Sequence, residues 1–186
     1  MKRTMLVTVL GSVMLTAAFA QSSEVGARRE NQQDRIAQGV GSGSLTAGET
    51  ANLEKKEAAI NHEVRADRAL NGGKLTPQER KIVNGQQNSM SRQIYNDKHN
   101  AAVQHYGANE VDARRANQQA RIANGIASGK LTAGQTARLE KGEAGINKEV
   151  RSERAANGGH LTGGERAAVN AQQNRMSGKI YRAKHS

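Results

Sequence analysis

The chain of 186 residues carries 28 Lys and Arg against 17 Asp and Glu, a formal net charge of +11, with no cysteine or tryptophan and a single proline. The missing cysteines exclude disulfide stapling and thiol chemistry, and the basic balance favours anionic partners. With 35% hydrophobic and 2% aromatic residues, little apolar area is available to offset chain entropy, which predicts a thin core and marginal stability, an elongated shape or self-association.

The first residues read as a targeting segment. Lys2 and Arg3 form a basic start, Met5 to Thr16 is mostly apolar, and Ala18-Phe19-Ala20 fits a small-residue cleavage site. The apolar run is shorter than the ~20 residues of a membrane span, and no lipid-anchoring cysteine follows. The expectation is a signal peptide over residues 1–20 and a periplasmic or secreted protein that starts at Gln21. Losing Lys2 and Arg3 lowers the net charge from +11 to +9. The expected partners are an anionic polymer such as lipopolysaccharide, an anionic membrane surface or unfolded protein clients. Export argues against nucleic acid.

Beyond the leader the chain repeats itself. Val25 to His99 aligns with Val111 to His185 without a gap at an offset of 86 residues, with 49 of 75 positions identical. This predicts two helical copies, 21–99 and 111–186, around a connector at 100–110. The first copy reads as helices at Glu24 to Val40, Thr46 to Leu70 and Thr76 to Asp97. The second reads as Glu110 to Ala127, Thr132 to Ala156 and Thr162 to Ala183. Leu53, Ile60 and Val64 keep to one helical face, as do Val83, Met90 and Ile94. The expected fold class is therefore all-α, a tandem duplication of a three-helix up-and-down unit, about six helices, elongated or bundle-like. Residues 96–107 read equally as a linker or as continued helix, and whether the copies pack together is left open.

Four loops share one cadence, G-x-L-T-x-x-E/Q, at Gly43 to Glu49, Gly73 to Glu79, Gly129 to Gln135 and Gly159 to Glu165. Each glycine ends a helix and each Thr starts the next. The pairs Thr46 and Glu49, Thr76 and Glu79, Thr132 and Gln135, and Thr162 and Glu165 have the spacing of capping boxes. The second half of these loops also resembles an EF-hand, with Gly73, Leu75 and Glu79 at its positions 6, 8 and 12. The calcium-ligand positions 1, 3 and 5 then fall on Arg68, Leu70 and Gly72, and none of the four loops has an acid there.

Leu131-Thr132-Ala133-Gly134-Gln135 is an L-T-x-x-Q motif, and the other three cadences carry Glu in place of Gln. With the basic, cysteine-free, exported composition, the chain resembles the small periplasmic helical proteins of the Spy/CpxP type. That resemblance implies an ATP-independent chaperone or envelope-stress factor, often dimeric, that holds unfolding clients on a basic, partly apolar concave face.

No constellation reads as an active site, and neither catalytic nor cofactor-binding residues are expected. The candidate partner-binding residues are Arg28, Arg29 and Arg35 with Arg114, Arg115 and Arg121 for anion contact, and Tyr95 and Tyr181 as anchors. Tyr95 and His99, like Tyr181 and His185, stand at i and i+4. This placement fits a helix end with His near the negative dipole and Tyr packed on Ile. An alternative is an envelope protein that binds a divalent metal through His99, His105 and His185. A second alternative is a structural protein that self-assembles through its apolar seams. Glu54, Glu57 and Glu63 neighbour Lys or Arg along one helix and read as part of a solvated face.

Overall fold

The structure, a computed structural model, describes the backbone of residues 13–186 and side chains from Glu24 onward. Among the described residues it is all-helical, with α1 at Val13–Ser42, α2 at Ala47–Leu70, α3 at Pro77–Lys98, α4 at Glu110–Ala127, α5 at Ala133–Ala156 and α6 at Gly163–Lys184. Five helices begin and end within about one residue of the expected bounds. The exception is α1, which extends N-terminally past Glu24 to Val13, because no proline or glycine interrupts the Ala- and Leu-containing stretch before Glu24. Most of the targeting segment, residues 1–12, lies outside the described residues. Among the described residues no helix is long and apolar enough to cross a membrane.

The four cadences form as turns with reciprocal caps. At Thr46, Thr76, Thr132 and Thr162 the hydroxyl accepts the N3 amide, and the Glu49, Glu79, Gln135 or Glu165 side chain accepts the Thr amide. Before two of them the chain must reverse sharply. Gly72 and Gly73 sit at φ 61° and 86°, where a β-carbon would be strained. The Gly73 amide donates to the Arg68 carbonyl at 2.7 Å, the 6→1 bond of a Schellman end. Asn71, at the end of α2, donates to both carboxylate oxygens of Glu79 at 2.9 and 3.0 Å. One carboxylate thus closes α2 and opens α3. Asn157 and Glu165 repeat the clasp between α5 and α6, at 3.0 Å for both oxygens.

Residues 99–109 are irregular chain, so the connector is not continued helix. It crosses the bundle surface, and the Gln104 amide donates to the Gly43 carbonyl at 2.8 Å.

The halves are packed together. Helix α3 rests on α1 and α2, and α6 rests on α4 and α5, but the most extensive helix contacts join the halves, α2 against α5 and α1 against α4. The arrangement is a bundle with α3 and α6 on its outer flanks. Its core takes the expected stripes, Leu53, Ile60, Val64, Val83, Met90 and Ile94 with Leu139, Ile146, Val150, Val169, Met176 and Ile180, all buried. The cadence leucines Leu45, Leu75, Leu131 and Leu161 are buried too and seal the helix ends.

Buried glutamines complete the thin core. Gln32 donates to the Gln87 carbonyl at 2.7 Å, while Gln87 donates to the Val25 carbonyl at 3.0 Å. Gln118 and Gln173 do the same between α4 and α6, at 2.7 and 2.9 Å. These bonds orient each flanking helix on its neighbour where apolar contact is scarce.

Candidate functional site: buried carboxylates, a cationic flank and the connector

Most of the candidate arginines are stitches within each half. Arg28 donates to Asn88 at 2.8 Å and pairs with Glu24, and Arg114 donates to Asn174 at 2.7 Å and pairs with Glu110. Arg35 reaches the Ser91 carbonyl at 3.1 Å, and Arg121 holds both the hydroxyl and carbonyl of Ser177. Arg29 is exposed, whereas Arg115, at the same place in the second half, is 4% exposed. Arg28, Arg35, Arg114, Arg115 and Arg121 thus each hold a partner within their own half. Tyr95 and Tyr181 are exposed and stack on His99 and His185 with centroids 4.2 and 4.3 Å apart. Each tyrosine thus has its histidine one turn on as a stacking partner. Among the described residues no group of three or more His, Cys, Asp or Glu is placed to hold a metal, so His99, His105 and His185 do not assemble a centre.

Sequence reasoning missed the cationic flank of α6. Arg175, Lys179 and Arg182 are exposed at i, i+4 and i+7, and so share one face. Their counterparts on α3 are the neutral Ser89, Gln93 and Asn96. In the first half, Lys56 of α2 donates to Gln93. In the second, glycine occupies the Lys56 position at Gly142 and lysine occupies the Gln93 position at Lys179, leaving the charge on α6. The helix carries five Lys or Arg against Glu165 alone. The signal was legible in the substitutions between copies, where the second copy adds charge at one helical spacing.

A second arrangement overturns an expectation. Glu54 and Glu57 do not lie on a solvated face; they are 0% and 1% exposed, and Glu140 and Glu143 are both fully buried. All four lie on α2 and α5, the helices with the most extensive contact. Nearby lysines in the sequence were misleading because Lys55, Lys56 and Lys141 point outward on the same turns. Burial pushes the Glu54 carboxyl up to about 8, a bond from Gln33 pulls it down, and Glu57 adds repulsion. Glu140 rises to about 8 by burial, opposed by a bond from Gln119 and reinforced by Glu143 and Glu54. Burial lifts Glu57 and Glu143 to about 7 against the attraction of Arg29 and Arg115 respectively. The cluster stores protons near neutrality.

No family model, curated protein or solved structure matches this chain.

Beside the carboxylates, α4 and α5 form a network in the second half that the end of the connector joins. Arg115 donates to Asp112 at 2.7 Å and to Asn147 at 2.5 Å, and Arg154 donates to Asp112 at 3.1 Å. Burial raises the Asp112 carboxyl, but the bonds from Asn109, Arg115 and Arg154 outweigh it and hold the group below its ordinary value. Tyr106 lies over the Arg115 guanidinium, 5.4 Å from ring centroid to charge, a cation–π distance. In the first half Gly26 stands at the Asp112 position, so Arg29 lacks the equivalent carboxylate.

Proposed function

We propose that this is an exported, non-enzymatic binding protein, a duplicated three-helix unit, that holds an anionic partner on the cationic flank of α6. The observation that carries the reading is the Arg175, Lys179 and Arg182 stripe. These three cations share one exposed helical face, and none has a side-chain bond among the described residues. Unpaired surface cations lose little on meeting a polyanion and release its counterions. Four carboxyls counted in the composition are buried with raised pKa values, Glu54 and Glu140 about 8 and Glu57 and Glu143 about 7, so the outer charge near neutrality is more positive than composition alone suggests.

Binding to polyglutamate at low and physiological salt tests this. The expected result is salt-sensitive binding that the combined Arg175→Glu, Lys179→Glu and Arg182→Glu variant abolishes with helix content retained. Unchanged binding in that variant would reject the α6 assignment. A chaperone-like use of α6 is favoured by Tyr181, 60% exposed on the same helix. Suppression of client aggregation without ATP, reduced by Tyr181→Ala, would select it.

A further inference from the structure

The two halves repeat their helices and also their grooves, but among the described residues only one groove is filled. On one side the connector bonds the Gly43 carbonyl through the Gln104 amide and places Tyr106 over Arg115. At the positions 86 residues away, Gly129 and Arg29 line an open groove of about 430 Å³. Its walls include Gln33 and Asn61 from the first half and Ile126 and Leu131 from the second.

The burial pattern records the missing segment. Gly43, Ala47, Gln119 and Asn147 are buried beside the connector, as is Arg115. Their counterparts Gly129, Ala133, Gln33, Asn61 and Arg29 are all half-buried or exposed. The two sets are chemically identical at each of these five positions, so the difference comes from their surroundings. The Gln104 amide takes the Gly43 carbonyl and Tyr106 lies over Arg115, and Asp112, where the first half has Gly26, also holds Arg115. Among the described residues no backbone amide donates to the Gly129 carbonyl, whereas the Gly43 carbonyl is taken.

We propose that the Arg29–Gly129 groove is a docking site for an extended peptide segment of a partner protein that carries a tyrosine, seated as Gln104 to Tyr106 seat in the opposite groove. The incoming backbone amide donates to the Gly129 carbonyl. Two residues on, the tyrosine ring lies over the Arg29 guanidinium, between Asn61 and the apolar Ile126 and Leu131. The recognition is that of an irregular strand with one aromatic anchor. It depends on a different face from α6, so polyanion binding and peptide docking fail or succeed separately.

The test is a nuclear magnetic resonance titration of the full chain with a synthetic peptide of the connector sequence, Ala101 to Asn109. The expected shifts centre on Arg29, Gln33, Asn61 and Gly129. Tyr106→Ala in the peptide should weaken binding at least about tenfold, and Arg29→Ala in the protein should weaken it about fivefold with an unchanged fold. Three results would overturn the proposal. One is no saturable shift; another is shifts centred on Gly43 and Arg115, which would mean exchange with the chain's own connector. The third is sedimentation showing that the groove is already closed by a second copy.

Discussion

Glu140 lies buried across the α2–α5 contact within the field of Glu54, itself fully buried. Two carboxyls so placed are compatible with the fold only while they hold protons. Their folded values near 8 stand above the ordinary 4.5. Their contribution to stability is therefore complete below about pH 4.5 and is lost as pH rises through 8. Urea denaturation at pH 5, 7 and 9 should show a falling midpoint. Glu54→Gln with Glu140→Gln should flatten that fall and raise the midpoint at pH 9. A midpoint independent of pH would contradict the buried, protonated arrangement.

The two arginines at equivalent places should differ sharply. Arg115→Ala leaves Asp112 buried with Arg154 as its one remaining cation, and removal of one partner of a buried pair costs roughly 3–5 kcal/mol. Arg29→Ala, on an exposed side chain with no Asp112 counterpart, should stay within about 0.5 kcal/mol. Equal losses in chemical denaturation would mean that Arg115 contributes nothing through its network.

The clasps at the two sharp turns make a third expectation. Thr76→Ala and Thr162→Ala should each lower stability by about 1 kcal/mol, and the pair should be additive because the turns share no partner. Glu79→Ala should cost more than Thr76→Ala, since it also removes the acceptor of Asn71. The comparison needs only thermal melts of the three variants.

Glycines inside the helices separate tolerated from costly positions. At Gly145, an exposed position of α5, an added methyl meets nothing within 4 Å, so Gly145→Ala should stabilise by about 0.5–1 kcal/mol. At Gly39 the same methyl would stand 2.6 Å from two carbons of Leu45, a buried side chain that seals the α1–α2 turn. Gly39→Ala should therefore destabilise by about 1–3 kcal/mol. Midpoints moving in the same direction would undo the packing argument at Gly39.

Much of the helical plan was readable because it rests on local chemistry. The Thr-x-x-Glu spacing places α2, α3 and α6 without reference to anything distant, and the seven-and-four steps of Leu53, Ile60 and Val64 name the buried face. What the sequence hid is set by contacts between the halves. Glu54 reads as solvated when its own helix alone is considered; it is buried because α5 arrives there. Arg29 and Arg115 are the same residue in the same motif, and the path of the connector together with Asp112 in place of Gly26 separates an exposed cation from a buried one. Tyr106 lay outside every motif, so nothing marked it as the residue that covers Arg115. The α6 stripe was visible only as a difference between repeats.

The dominance of the α2–α5 contact also bears on how the chain reaches its fold. The clasped turns join neighbours in sequence and close early, giving helical hairpins before the halves meet. The pairing that buries the carboxylates joins segments about 86 residues apart, at a far larger entropic cost of closure. During that delay α2 of one molecule can take α5 of another with the same side chains. Domain-swapped dimers are then the characteristic misassembly of concentrated refolding. Mildly acidic dilute solution, where the buried carboxyls dock uncharged, is the condition that returns single chains.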